Sequence, residues 1–291
     1  MKLLMQANES GQVTLYDKID SQRLEDASHA AARIHALLED LAFGDSVSDA
    51  LNELKEACQP TRTNLDLQHR KIERKAKAFL SDFYIFLEHW DAKAVRADRE
   101  AHTDKIHKKR FKELQQDAKN NFPEYSFTYS LRNYAIHCDN IVARIHGEIG
   151  CDHIIPMANR DFLLSSNRDW KGNDREFLRG QPEYFDLIPI FEKACQAIQT
   201  IHYGMMDSLL SEQTISDCQV LMALRDDIKQ LDAAPGVWDI IEFFDDKDQP
   251  LDPKHLPIIS CGSYSRCYVN WDVYPILKNR ATAILKSKAQ I

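Results

Sequence analysis

Hydrophobic residues recur every three or four positions along most of this chain, and that spacing is typical of amphipathic helices. The segment 63–98 has the broadest apolar stripe, which is formed by Ala76, Phe79, Leu80, Phe83, Phe86, Leu87 and Trp90. Aromatic residues at helical spacing indicate a face that packs in a core. The spacing predicts helices over about 20–44, 46–58, 63–98, 99–120, 123–139, 183–210 and 213–232. We therefore predict a mainly α fold built on a helical bundle.

Strand-like patterns follow the helix predicted over 123–139. They are the runs 141–146, 153–157 and 161–164, with turns at Gly147 and Gly150. We predict a small β-insertion of two or three strands here, at about 140–165. The polar stretch 166–182 is predicted to be a loop.

The clearest break in the chain is Ala234-Pro235-Gly236, after which the composition changes. We expect residues 1–235 to form the bundle with its β-insertion, and residues 236–291 to form a small α/β appendage packed on the bundle. The patterns predict further strands over 13–16, 238–244, 257–260 and 263–270, and a last helix over 272–287.

Composition narrows the function classes. Of 291 residues, 28% are charged, whereas Gly and Pro number only 9 and 10, which favours helix over a turn-rich β fold. The net charge of −8 argues against broad, non-specific binding to a nucleic-acid backbone, which needs an excess of Lys and Arg. Two basic runs, Arg70 to Lys77 and Lys105 to Lys112, are each expected to be solvated helix faces. The net charge does not exclude a local basic cleft.

Motifs for metals, cofactors and membranes are missing from the sequence. The seven cysteines form no CxxC pair, so reduced thiols in a cytoplasmic protein are the simplest account. We find no phosphate-binding glycine loop, no zinc-protease or serine-hydrolase motif, and no set of carboxylates at metal-site spacing. No apolar run reaches the length of a membrane span, and Met1–Met5 is too short for a signal peptide. We therefore expect no cofactor, no metal and no membrane partner.

Candidate chemistry concentrates in the helix predicted over 123–139, at Arg132, Asn133 and His137. To cleave RNA without a metal, an enzyme must deprotonate the 2′-hydroxyl, protonate the leaving 5′-oxygen and stabilise the phosphorane charge. A histidine performs either proton transfer, an arginine fork matches phosphate oxygens, and an asparagine orients a phosphate or a hydroxyl. Five positions turn a helix through about 140°. That angle suits a cleft shared with a second copy of the motif better than a self-contained site.

The stretch Leu131 to His137, with the sequence LRNYAIH, resembles the signature of HEPN domains. In that signature an Arg, often followed by a polar residue such as Asn, is separated from a His by four to six residues. HEPN domains are small helical bundles that typically dimerise, and many are ribonucleases in toxin–antitoxin, abortive-infection and CRISPR-linked systems. The resemblance implies an HEPN-like bundle that acts as a metal-independent endoribonuclease, for example as a toxin or a phage-defence effector. It implies Arg132 and His137 as the catalytic pair with Asn133 as their polar companion, RNA as substrate, a homodimer, and an antitoxin or regulatory protein as a further partner.

A second interpretation stays open. In it Arg132 faces solvent, and His137 is partly buried near a helix end, where its charge is favourable. The protein is then a non-catalytic helical interaction or regulatory module, either an inactive HEPN relative or an unrelated bundle. An Arg with a His five to seven positions later also occurs by chance elsewhere in the chain, at Arg23/His29, Arg62/His69 and Arg96/His102.

Overall fold

The structure is a computed structural model, and helices dominate its described residues, which confirms the predicted mainly α fold. It describes residues 2–7, 13–16, 19–60, 64–137, 140–147, 153–166, 170, 172–231, 237–243, 264–268 and 273–289. The helices are α1 (Ser21–Phe43), α2 (Ser46–Ala57), α3 (Leu65–Glu100), α4 (Ile106–Asn121), α5 (Pro123–His137), α6 (Arg160–Ser165), α7 (Gly172–Arg179), α8 (Leu187–Leu209), α9 (Glu212–Lys229) and α10 (Val273–Lys288). The strands are β1 (Lys2–Ala7), β2 (Val13–Tyr16), β3 (Arg144–His146), β4 (Ile155–Asn159), β5 (Tyr184–Asp186), β6 (Val237–Phe243) and β7 (Tyr264–Tyr268).

Two predicted segments between α5 and α8 are wrong. Residues 161–164 were expected as a strand but lie in α6, because the Asn159 side chain caps that helix by accepting a hydrogen bond from Phe162 N at 2.7 Å. The loop predicted over 166–182 contains α7, in which Leu178 is fully buried. The strand predicted over 257–260 lies outside the described residues.

The helix predicted from residue 99 begins later, because a tight corner separates α3 from α4. The buried Asp98 carboxylate accepts hydrogen bonds from Thr103 Oγ1 at 2.8 Å, His107 N at 2.9 Å and Lys108 N at 3.0 Å. It therefore satisfies backbone donors at the start of α4. His102 and Lys105 take left-handed backbone in this corner, with φ of 50° and 58°.

The described residues form two compact units, and the first consists of residues 1–39 and 210–291. Its antiparallel sheet has the strand order β2-β1-β6-β7, with Leu4 opposite Ile240. Apolar side chains of α1, α9 and α10 form a small hydrophobic core, which includes Leu24, Leu221 and Leu277. The boundary expected at residue 235, between the bundle and an α/β appendage packed on it, stays a prediction.

The second unit, residues 40–209, contains the larger core. The apolar stripe of α3 is buried as predicted, and Phe79 packs on Phe191 of α8 with ring centroids 4.3 Å apart. Helices α2, α4 and α5 pack around α3 and α8. Strands β3, β4 and β5 form a separate antiparallel sheet, of which β3 and β4 lie in the predicted β-insertion. This unit holds the candidate site.

Candidate functional site

Helix α5 carries the three predicted site residues and buries its opposite face. Pro123 begins the helix and Glu124 lies in its first turn, where a carboxylate interacts favourably with the helix dipole. Tyr125, Leu131 and Tyr134 are at most 2% exposed. Tyr134 stacks on Trp170, with centroids 6.0 Å apart. This packing leaves only one edge of α5 at the surface.

That edge lies alongside α3, which runs antiparallel to α5. The antiparallel order follows from three contacts. Phe83 meets Tyr125 with centroids 5.6 Å apart, Tyr84 meets Tyr129 at 6.0 Å, and Lys77 Nζ donates to Asn140 Oδ1 at 3.1 Å. Residues early in α3 therefore lie near the end of α5.

Arg132 is held in place at this edge without a carboxylate partner. Its guanidinium carbon lies 3.7 Å from the centroid of the Tyr84 ring, which is cation–π geometry. Its Nη1 donates to Asn133 Oδ1 at 3.1 Å, while Nε is enclosed and has no hydrogen-bond partner among the described residues. In the described part of the chain, no Asp or Glu lies within ion-pair distance of Arg132. Among the residues that the structure describes, the positive charge is therefore oriented and not neutralised by a neighbour.

Tyr84 forms the platform for this guanidinium. Its hydroxyl donates to Glu88 one turn further along α3, and this bond to a carboxylate raises the pKa of the Tyr84 phenol. The phenol stays protonated near neutral pH. The ring consequently offers Arg132 a neutral aromatic face.

His137 is the last residue of α5 and is exposed to solvent. It lies about 7.5 Å further along the helix axis than Arg132, from a rise of 1.5 Å per residue. Within the described residues, the structure brings Arg132 and Asn133 into contact but shows no contact of His137 with either. Ile136 beside it is 52% exposed, as is Ile85 on α3.

Glu73 fixes the chain that follows α5, and sequence reasoning missed this role. The carboxylate is buried on α3 and accepts hydrogen bonds from Ile141 N at 3.1 Å and Val142 N at 2.7 Å. It also pairs with Lys77 at 3.0 Å. The signal was present in the sequence, because position 73 lies on the core-facing side of α3 with Ala76, Leu80 and Phe83.

Two cysteines of this unit, Cys58 and Cys195, are buried. Burial raises the pKa of the Cys58 and Cys195 thiols to about 12, so both stay protonated. In the ranges that the structure describes, no three His, Cys, Asp or Glu side chains are grouped to hold a metal ion. None of the described helices is long and apolar enough to cross a bilayer.

Comparison of the chain with protein-family models, curated proteins and solved structures gives no match. The interpretation of the site therefore depends on its own geometry.

Proposed function

We propose that the protein is a metal-independent endoribonuclease of HEPN type, with Arg132, Asn133 and His137 as catalytic residues. The observation that supports this most directly is the oriented guanidinium of Arg132, which has no carboxylate partner in the described residues. By contrast, Arg33, Arg110 and Arg160 each pair with a nearby carboxylate. A fixed, uncompensated cation next to an amide and an exposed imidazole suits an anionic substrate.

The reaction balances when two copies of the chain supply these groups. The 2′-oxygen attacks phosphorus while the imidazole of one His137 takes its proton, the P–O5′ bond breaks, and the leaving 5′-oxygen receives a proton from the imidazolium of the second copy's His137. Arg132 stabilises the phosphorane charge. The Oδ1 of Asn133 is engaged by Arg132, so its amide NH2 group is left to donate to a phosphate oxygen. The products carry a 2′,3′-cyclic phosphate and a 5′-hydroxyl.

A second copy of the chain supplies the second proton carrier in this proposal. One His137 cannot act as base and acid on opposite sides of one phosphorus in a single step. Two α5 edges facing each other place one imidazole on each side. The exposed Ile85 and Ile136 then form apolar contacts around a shared cleft in the homodimer. The activity of a cytoplasmic enzyme of this kind must also be inhibited. We propose that an antitoxin or a regulatory protein inhibits it.

The test is cleavage of a mixed-sequence RNA in EDTA by the wild type and by Arg132→Ala, Asn133→Ala and His137→Ala. His137→Ala removes a proton carrier and is expected to slow cleavage by about 10²–10⁴-fold. Arg132→Ala removes the guanidinium and is expected to slow cleavage by about 10²–10³-fold. End-group analysis is expected to detect the cyclic phosphate.

The chain offers matched controls in Arg144 and His146. Arg144 also lies over a tyrosine ring, at 3.5 Å from the centroid of Tyr184, and His146 is also exposed at the end of an element. Arg144→Ala and His146→Ala are expected to cleave at the wild-type rate. Equal rates for all variants would refute the proposal and favour a non-catalytic interaction module. Activity abolished by EDTA would refute the metal-independent mechanism.

A further inference from the structure

One face of α3 continues past the end of α5 as a line of cationic and polar side chains. Positions 70, 74, 77, 81, 84 and 88 fall within a sector of about 80° around the helix at 100° per residue. They are Arg70, Arg74, Lys77, Ser81, Tyr84 and Glu88. Tyr84 contacts Arg132 of α5, and Lys77 contacts Asn140, three residues after α5 ends. The line therefore passes the α5 edge and continues beyond it.

The charges on this line are unevenly compensated. Lys77 pairs with Glu73, and Glu88 accepts the Tyr84 hydroxyl. Arg70 and Arg74 are exposed, and within the described residues neither has a carboxylate at ion-pair distance. With Arg132 they give three uncompensated cations on one face of a chain whose net charge is −8.

The dimensions suit a polymer better than a single anion. From Arg70 to Tyr84 the helix axis advances about 21 Å at 1.5 Å per residue. A stacked nucleic-acid strand advances about 3.4 Å per nucleotide, so the line spans about six nucleotides. Arg70 and Arg74 lie about 6 Å apart along the axis, so they meet different phosphates.

We propose that the α3 face formed by Arg70, Arg74 and Tyr84 is a binding track for single-stranded RNA. The track leads the strand to the Arg132 end of the site. This inference deepens the proposed function and depends on it for the identity of the polymer. Arg70 and Arg74 bind phosphates outside the reacting bond, and they act as binding residues without a role in the chemistry.

Aromatic rings favour a nucleic acid over an acidic peptide as the occupant. The ring centroids of Tyr84 and Tyr129 lie 6.0 Å apart beside the track, and both side chains are partly exposed. Bases stack on such rings in proteins that bind single strands. The Asp and Glu side chains of an acidic peptide supply charge but no aromatic ring that stacks on a tyrosine.

The test measures the affinity of a fluorescein-labelled single-stranded RNA of about 12 nucleotides, within the usual range of site sizes. The background is full-length His137→Ala, which prevents cleavage during the titration. Arg70→Gln/Arg74→Gln removes two phosphate contacts, so the slope of log K against log salt is expected to become less steep by about 1.4. That change corresponds to about 25-fold weaker binding at 0.1 M salt.

Two matched variants define the comparison. Lys109→Gln/Lys112→Gln removes two exposed cations from α4, neither in an ion pair among the described residues, and is expected to leave affinity and slope unchanged. Arg70→Lys/Arg74→Lys keeps both charges and is expected to retain the slope. Thermal melting followed by circular dichroism checks that every variant is folded.

The outcomes separate this inference from the proposed function. If the wild type fails to cleave RNA but the Arg70/Arg74 variant still loses affinity selectively, the function is wrong and the track stands. If the α3 and α4 variants bind equally, the track is refuted even when cleavage is observed. Competition by polyglutamate as strong as that by RNA of equal charge would also overturn the assignment to nucleic acid. So would a wild-type protein that binds no RNA at low salt.

Discussion

Replacing Glu73 with Gln is expected to destabilise the unit formed by residues 40–209 by about 2–3 kcal/mol. The carboxylate accepts two backbone hydrogen bonds, at 3.1 and 2.7 Å, and Ile141 and Val142, which donate them, are each 1% exposed. Hydrogen bonds to a charged group contribute about 1.5–3 kcal/mol each. Gln keeps one acceptor oxygen but turns an NH2 group toward the second donor. One buried amide is then left without a partner.

The exchange of the Ile141 and Val142 amide protons reports this effect locally. Both are expected to be protected in the wild type and to exchange faster in Glu73→Gln, together with a lower midpoint of urea denaturation. For a unit of this size the loss corresponds to a decrease in Tm of about 4–12 °C.

Glu53→Gln is the matched control, because Glu53 makes an ion pair with Lys75 but its side chain is 57% exposed. Such a surface pair contributes at most about 1 kcal/mol. A Glu73→Gln variant that is no less stable than Glu53→Gln, or unchanged exchange of the Ile141 and Val142 amides, would contradict this role of Glu73.

Three further predictions concern single side chains. Gly44→Ala is expected to cost about 1–3 kcal/mol in urea denaturation, because a methyl group there overlaps the His202 ring, which packs on Trp90. Burial lowers the pKa of His202 in the folded protein, so on acidification the unfolded chain takes up a proton first. The free energy of unfolding is therefore expected to decrease below about pH 6.5, by up to about 1.4 kcal/mol per pH unit. The variant His202→Gln is expected to remove this pH dependence. If the proposed function holds, Tyr84→Leu slows RNA cleavage about two- to thirtyfold, since a cation–π contact contributes about 0.5–2 kcal/mol, whereas Tyr84→Phe keeps the ring and the rate. A stable Gly44→Ala, an unchanged pH slope or equal rates for the two Tyr84 variants would contradict them.

Long helices were predictable from the sequence because their apolar stripes repeat over many turns. The stripe that includes Phe79, Phe83 and Trp90 is buried as the spacing indicated. Short elements depend on single contacts. Helix α6 depends on the cap by Asn159, and α7 on a buried Leu178, so strand-like or polar composition gave the wrong prediction for both.

Pairings between distant parts of the chain carry no local signal. Leu4 faces Ile240 across a sheet, and nothing in either segment specifies the other. The same limit applies to the site. The sequence singles out Arg132 and Asn133 as neighbours, but the platform of Tyr84 and the anchor of Glu73 come from α3, and only packing brings them to α5.

The chemistry of the product ends gives the most stringent test of metal-free RNA cleavage by Arg132 and His137. Purified protein is incubated with RNA in EDTA, and the 3′ ends are analysed by mass spectrometry. We expect 2′,3′-cyclic phosphates with the wild type and with Arg144→Ala and His146→Ala, and none above background with Arg132→Ala or His137→Ala. Intact RNA with the wild type, or the same cyclic ends with His137→Ala, would contradict this mechanism.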